Sequence, residues 1–198
     1  MFSIRDDSFF TRPAISPKEV KNKLQSDLIQ FLATVKRNRI DFLPIMWQPA
    51  LGNLGEGASA QVSQSVVDIT SGFAFKRFYN LEDADLYSPM INEVSILSLA
   101  PIQSHRNIVN LEGICWEVRK TPNETGFEVF PVLVYEKAAC DLVQFMNTDE
   151  GKNISVGDRL RICTEIGHAI MTLHSSGMLL NPVTQSPSFL SRGCLNKI

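Results

Sequence analysis

The spacing of apolar residues changes along this chain, from every third or fourth position to alternation and back again. Val20, Leu24, Leu28, Phe31, Leu32 and Val35 recur at helical spacing, which predicts a helix to about Lys36 with one apolar stripe and its lysines outside. Ser16-Pro17-Lys18-Glu19 supplies the start, because Ser16 can cap, Pro17 suits the first helical position and Glu19 can return a bond to the cap backbone. The stripe is expected to dock on the domain behind it, with a partner-binding helix as the sharper alternative.

From about Phe42 to Asp141 the pattern reads mostly as strands, punctuated at Gly55-Glu56-Gly57, Thr70-Ser71-Gly72 and Pro122-Asn123-Glu124-Thr125-Gly126. One helix interrupts them: Ser88-Pro89 starts it, Met90, Val94 and Leu97 give its apolar side, and Pro101 prevents continuation. After Asp141 the pattern is helical. Ser155 with Asp158 makes a cap signature, and Leu160, Cys163, Ile166, Ile170 and Leu173 form a stripe up to Gly177. Residues 179–198, rich in Pro and Ser, show no period and read as an irregular tail.

Charge and cysteine usage narrow the chemistry. A formal net charge of -2 gives no field for nucleic acid or an anionic membrane. The N-terminus carries Arg5, Asp6 and Asp7 with no signal-peptide apolar run, and no stretch is long enough to span a bilayer. The expectation is therefore an intracellular, cytoplasmic chain with no nucleic-acid or membrane partner. Cys115, Cys140, Cys163 and Cys194 form no C-x-x-C pair, and His105, His168 and His174 no H-E-x-x-H, so no metal site is expected. The cysteines read as buried thiols, and Asn123-Glu124-Thr125 as a solvated loop.

Leu54-Gly55-Glu56-Gly57-Ala58-Ser59-Ala60-Gln61-Val62 lets backbone approach phosphates, since Gly55 and Gly57 put no side chain in the way. Gly55-x-Gly57-x-x-Ala60 alone could also open a dinucleotide-binding unit, but that needs a helix next. The β-branched Val62, Val66, Val67 and Ile69 favour a loop between antiparallel strands instead. In Phe73-Ala74-Phe75-Lys76, alternation puts Ala74 and Lys76 on one face. An isolated strand lysine is usually just solvated; here Glu93 follows in the next helix.

Taken in order, these segments resemble the first part of a protein kinase, over roughly Leu51 to Gly177. Phe73-Ala74-Phe75-Lys76 is similar to the family's V-A-I-K strand, and Glu93 stands where the family pairs a glutamate with that lysine. Leu97 matches a spine position. His105-Arg106-Asn107-Ile108-Val109 resembles the H-x-N-I-V entry to the fourth strand, Leu111-Glu112-Gly113-Ile114-Cys115. Val132-Leu133-Val134-Tyr135-Glu136-Lys137-Ala138 resembles the fifth strand running into the hinge, with Tyr135 as gatekeeper, and Asp141-Leu142 would begin the next short helix.

The resemblance implies an α+β, protein kinase-like fold: an N-terminal extension (1–41), a five-stranded antiparallel small lobe with one helix (42–138), the first helices of a large lobe (139–178) and the tail (179–198). It implies an ATP site of Leu54, Gly55, Gly57, Val62, Ala74, Lys76, Glu93, Tyr135, Glu136 and Ala138. The family reaction, a transferase step, moves phosphate from ATP to a protein hydroxyl. The resemblance stops after His174-Ser175-Ser176-Gly177. Where the family has H-x-D-x-K-x-x-N, the usual offset sets Leu180, Pro182, Thr184 and Pro187 at the histidine, aspartate, lysine and asparagine. Proline can be neither general base nor metal ligand, so no catalytic residue is assigned, ATP binding is expected to be weak, and Mg²⁺ is expected only with a full-length form. The expectation is an inactive, truncated kinase-like domain. The alternative is a pseudokinase-type interaction module that binds another protein through the N-terminal helix or the Ser155–His174 helix. That second helix, lacking the rest of a large lobe, is expected to have little cover. A dinucleotide-dependent oxidoreductase is retained only on the glycine spacing.

Overall fold

The computed structural model describes residues 17–46, 51–56, 60–65, 72–79, 87–120 and 126–177. Ser16, Gly57, the loop at 121–125 and the tail from residue 178 lie outside them, and with them the expected Ser16 cap, the second glycine and the irregular tail. The helices are α1 (Pro17–Arg37), α2 (Tyr87–Leu97), α3 (Ala100–Gln103), α4 (Leu142–Asn147), α5 (Asp149–Asn153) and α6 (Val156–Ser175). The strands are β1 (Phe42–Met46), β2 (Leu51–Glu56), β3 (Ala60–Ser65), β4 (Phe73–Phe78), β5 (Leu111–Lys120) and β6 (Phe127–Glu136).

The expectation of a five-stranded antiparallel sheet is corrected. The fold is α+β with a mixed sheet of six strands in the order β1-β5-β6-β4-β3-β2. The additional strand, β1, runs parallel to β5. Arg39, at φ 56, turns the chain at the end of α1, where the Ile40 N–H returns to the Val35 carbonyl at 3.1 Å. β1 then reaches β5 because Gly113 has no side chain: a Cβ there would lie 2.7 Å from both the Asp41 carbonyl oxygen and Leu43 Cγ. The Ile114 N–H donates to that Asp41 oxygen at 3.0 Å. Pro44 is tolerated because β1 is an edge.

Two helices cover one sheet face. Phe31 and Val35 of α1, Met90 and Val94 of α2, and Ile114 and Leu133 of the sheet are buried in a common core. Phe31 and the buried Tyr87 ring join α1 to α2, with centroids 5.8 Å apart. Leu28, Phe31, Leu32 and Val35 of the α1 stripe thus pack on the protein itself. Pro101 does end α2, and it also opens the short α3, which sits one turn later. Phe75, Cys115, Val132 and Val134 form a smaller cluster on the opposite sheet face.

The helical caps follow the sequence. Asp141 accepts from the Gln144 N–H at 2.7 Å and starts α4, and Ser155 accepts from the Asp158 N–H at 3.1 Å and starts α6. The cover of α6 departs from expectation. Ile162, Ala169 and Leu173 are buried and Ile166 and Ile170 half-buried, while Leu160, at 63% exposure, and Cys163 are the exposed members of the expected stripe. Ala169 and Leu173 belong to the main core itself.

The cysteines also divide. Cys115 is buried and Cys163 exposed, so the expectation of buried thiols fails at Cys163. Burial pushes the Cys115 thiol up to about 12 from an ordinary 9.0. Its folded form therefore favours the neutral thiol, and that contribution to stability is full below pH 9 and is lost as pH rises toward 12. In native protein at pH 8, iodoacetamide should modify Cys163 and spare Cys115; equal labelling would show that the sheet opens readily. No helix among the described residues is long and apolar enough to cross a membrane.

Candidate functional site

The strand register collects residues that are distant in sequence. Gly55 pairs with Val62, Val62 with Lys76, and Lys76 with Leu133, so these four form one row across β2, β3, β4 and β6. With strands about 4.8 Å apart, Gly55 and Lys76 lie about 10 Å apart along this row. Ala74 pairs with Tyr135 in the neighbouring row. Ala74 and Val62 both contact the α2-covered core, which places them on the face that Lys76 shares with α2.

Leu54 lies at a bulge, where the pairing shifts between Asn53 and Gly55. The Asn53 Oδ1 accepts from the Gly55 N–H at 3.0 Å and holds the bulge. A Cβ on Gly55 would meet no described atom within 4 Å, and its φ is not in the left-handed region. Neither backbone strain nor packing among the described residues requires glycine here. The antiparallel β2–β3 pairing also removes the dinucleotide reading, since a strand, not a helix, follows the glycine turn.

Lys76 and Glu93 meet as expected. The Lys76 Nζ donates to Glu93 Oε1 at 2.8 Å and Oε2 at 2.7 Å, with the two side chains only 13% and 11% exposed. Nζ also lies 5.1 Å from the centroid of the Phe78 ring. What sequence reasoning missed is the third member: the Tyr135 hydroxyl donates to Glu93 Oε1. A buried phenol needs a partner for its hydroxyl, so a tyrosine amid the apolar run Val132-Leu133-Val134 was the available signal. Burial, then the Glu93 charge and its hydrogen bond, hold the Tyr135 phenol well above the ordinary 10.0. It therefore remains a donor, and ionising it above pH 10 would weaken the fold. One carboxylate is thus fixed by a cation from β4 and a phenol from β6, which ties α2 to the sheet centre.

At Glu136, the last residue of β6, the chain leaves the sheet. The Glu136 N–H donates to the Asn110 carbonyl at 3.2 Å and the Lys137 N–H to the Gly72 carbonyl at 2.7 Å. Leu97 is buried beneath α2 as expected. Buried Asn107 bonds the Glu165 carbonyl at 3.4 Å, and Arg106 pairs with Glu165 at 3.0 Å, which joins the turn before β5 to α6. A depression of about 500 Å³ opens at this joint. It involves none of Lys76, Glu93 or Tyr135, and its guanidiniums face carboxylates, Arg106 on Glu165 and Arg161 on Asp158 at 3.2 Å. Among the described residues no group of three or more His, Cys, Asp or Glu could hold a metal ion.

No protein-family model matches this chain. Over 130 residues, 65% of its length, the chain is 32% identical to wall-associated receptor kinase-like 14 of Arabidopsis thaliana. The matched part is 16% of that protein. A kinase-like relationship is what this similarity supports.

Proposed function

We propose that the chain is a kinase-type nucleotide-binding unit, with residues 42–138 as its small lobe and 139–178 as the start of a large lobe, and that it binds ATP without transferring phosphate. The observation that carries this reading is the assembled group of Lys76 and Tyr135 of the sheet with Glu93 of α2, beside the Gly55–Val62 row. Leu54, Val62 and Ala74 would meet the adenine. With the Glu136 and Lys137 N–H groups directed at protein carbonyls, the Ala138 N–H and Glu136 carbonyl would face its edge. Gly55 and Gly57 would lie along the phosphates and Lys76 would contact them, aimed by Glu93. Phosphate charge would then meet a fixed ammonium.

The residues present do not fit Mg²⁺. The position that should supply the metal-binding asparagine holds Pro187, and Pro182 stands at that of the general base; no described cluster replaces the metal ligand. Losing a general base typically costs about 10²–10⁴ in rate, so no labelling of a generic protein substrate from γ-labelled ATP is expected. ATP should raise the melting temperature slightly, equally with and without Mg²⁺, and Lys76→Met should abolish the shift. A tight titration that strictly requires Mg²⁺, or phosphate transfer lost in Lys76→Met, would overturn the reading. A protein-interaction module is the second reading, favoured by Val156, Leu160 and Met171 of α6 at 75%, 63% and 68% exposure. A melting curve indifferent to ATP, with a captured partner lost on Leu160→Lys, would decide for it.

A further inference from the structure

The sheet face opposite Lys76 carries a polar network that reaches the end of β2. Arg77 alternates with Lys76 on β4 and so points away from α2. It donates to Gln61 Oε1 on β3 at 3.0 Å, and lies 3.4 Å from the buried Glu117 carboxylate on β5. Gln61 pairs with Glu56, the last residue of β2. Glu56 is held in turn from beyond the end of β4, where the Tyr79 hydroxyl donates to its Oε1 at 2.8 Å. Tyr79 thus reaches across β3, which lies between β4 and β2. Glu56 follows Gly55 directly and ends β2, so this bond holds the end of that strand.

We propose that Tyr79 is a positioning residue that latches the Gly55–Glu56 end of β2 from the outer face of the sheet and sets how closely that end lies to bound nucleotide. The functional half of this statement rests on the nucleotide reading above; the latch itself does not. β2 is the last strand on its side of the sheet and, among the described residues, pairs with β3 alone. Its ladder is already irregular at the Asn53–Gly55 bulge, and a strand paired on one side has fewer ladder bonds to hold it. A hydrogen bond to a carboxylate is among the stronger neutral–charged pairs. Here it ties Glu56, across β3, to the end of the strand that carries Lys76. Because the latch lies on the face away from Lys76, it occupies no space a nucleotide would need.

The test compares wild type with Tyr79→Phe, which keeps the ring and drops the hydroxyl, and Glu56→Gln, which keeps an acceptor oxygen. In Tyr79→Phe, amide exchange at Gly55, Glu56, Gln61 and Val62 should quicken by roughly three- to tenfold, the effect of one lost hydrogen bond. Exchange at Leu133 and Val134 should stay unchanged. In Tyr79→Phe the dissociation rate of a fluorescent ATP analogue should rise by a similar factor, whereas Glu56→Gln, with the Tyr79 donor intact, should leave both readouts close to wild type. Unchanged exchange at Gly55, Glu56, Gln61 and Val62 in Tyr79→Phe overturns the latch, and so does a rise spread equally through β5 and β6. If wild-type protein binds no nucleotide, the nucleotide reading fails, and the exchange pattern alone still decides for or against the latch.

Discussion

Replacing Glu93 with alanine should cost about 3–5 kcal/mol of folding stability, the usual effect of removing one partner from a buried ion pair. The magnitude follows from what remains behind. Lys76 would keep its ammonium at 13% exposure without this carboxylate, and the buried Tyr135 hydroxyl would lose its acceptor. A typical domain has only about 5–15 kcal/mol in total, so the loss should be plain in urea denaturation. Tyr135→Phe removes one hydroxyl and leaves the carboxylate with Lys76, and should cost only about 1–3 kcal/mol. Because the three groups share one acceptor, the effects of Glu93→Ala and Tyr135→Phe should not add. A Glu93→Ala cost below about 1 kcal/mol would mean that the pair behaves as an exposed one, and the aimed-lysine account would lose its basis.

The parts of this site that were legible in sequence are those fixed by local pattern. Alternation in Phe73-Ala74-Phe75-Lys76 puts Lys76 on one face, and observed pairing of Ala74 and Lys76 with β6 agrees. The apolar spacing of Met90, Val94 and Leu97 settled which side of α2 is buried, and so which side presents Glu93. The bond from Tyr135 to Glu93 joins residues 42 positions apart and depends on how far α2 sits from β6, which no periodicity encodes. β1 was missed for a similar reason. Its pairing depends on a missing side chain at Gly113, far along the chain from Phe42, and not on any alternation within Phe42-Leu43-Pro44-Ile45-Met46. In α6 the apolar residues cover too wide an arc. Leu160, Ile162, Cys163, Ile166, Ala169, Ile170 and Leu173 admit more than one buried face, and only packing chose Ile162, Ala169 and Leu173.

That choice of face sets the second large effect. Leu173→Ala should destabilise the whole chain by about 2–5 kcal/mol, as expected for truncating a buried leucine. Leu160→Ala, at 63% exposure, should stay within about 0.5 kcal/mol, as surface changes usually do. The asymmetry arises because Leu173 lies in the cluster that also holds Met90, Val94, Ile114 and Leu133, so truncating it opens a cavity in that core where α6 packs on α3. Arg106 and Asn107 add polar ties from the turn before β5 to Glu165 on the same helix. The amides from Ile162 to Leu173 should then exchange nearly as slowly as those of Leu133 and Val134, and they should quicken together when Leu173 is truncated. If instead the α6 amides exchange far faster than the β6 amides in monomeric wild-type protein, the helix opens on its own. Leu173→Ala would then cost little, and the residues after Asp149 could be removed without loss to the sheet.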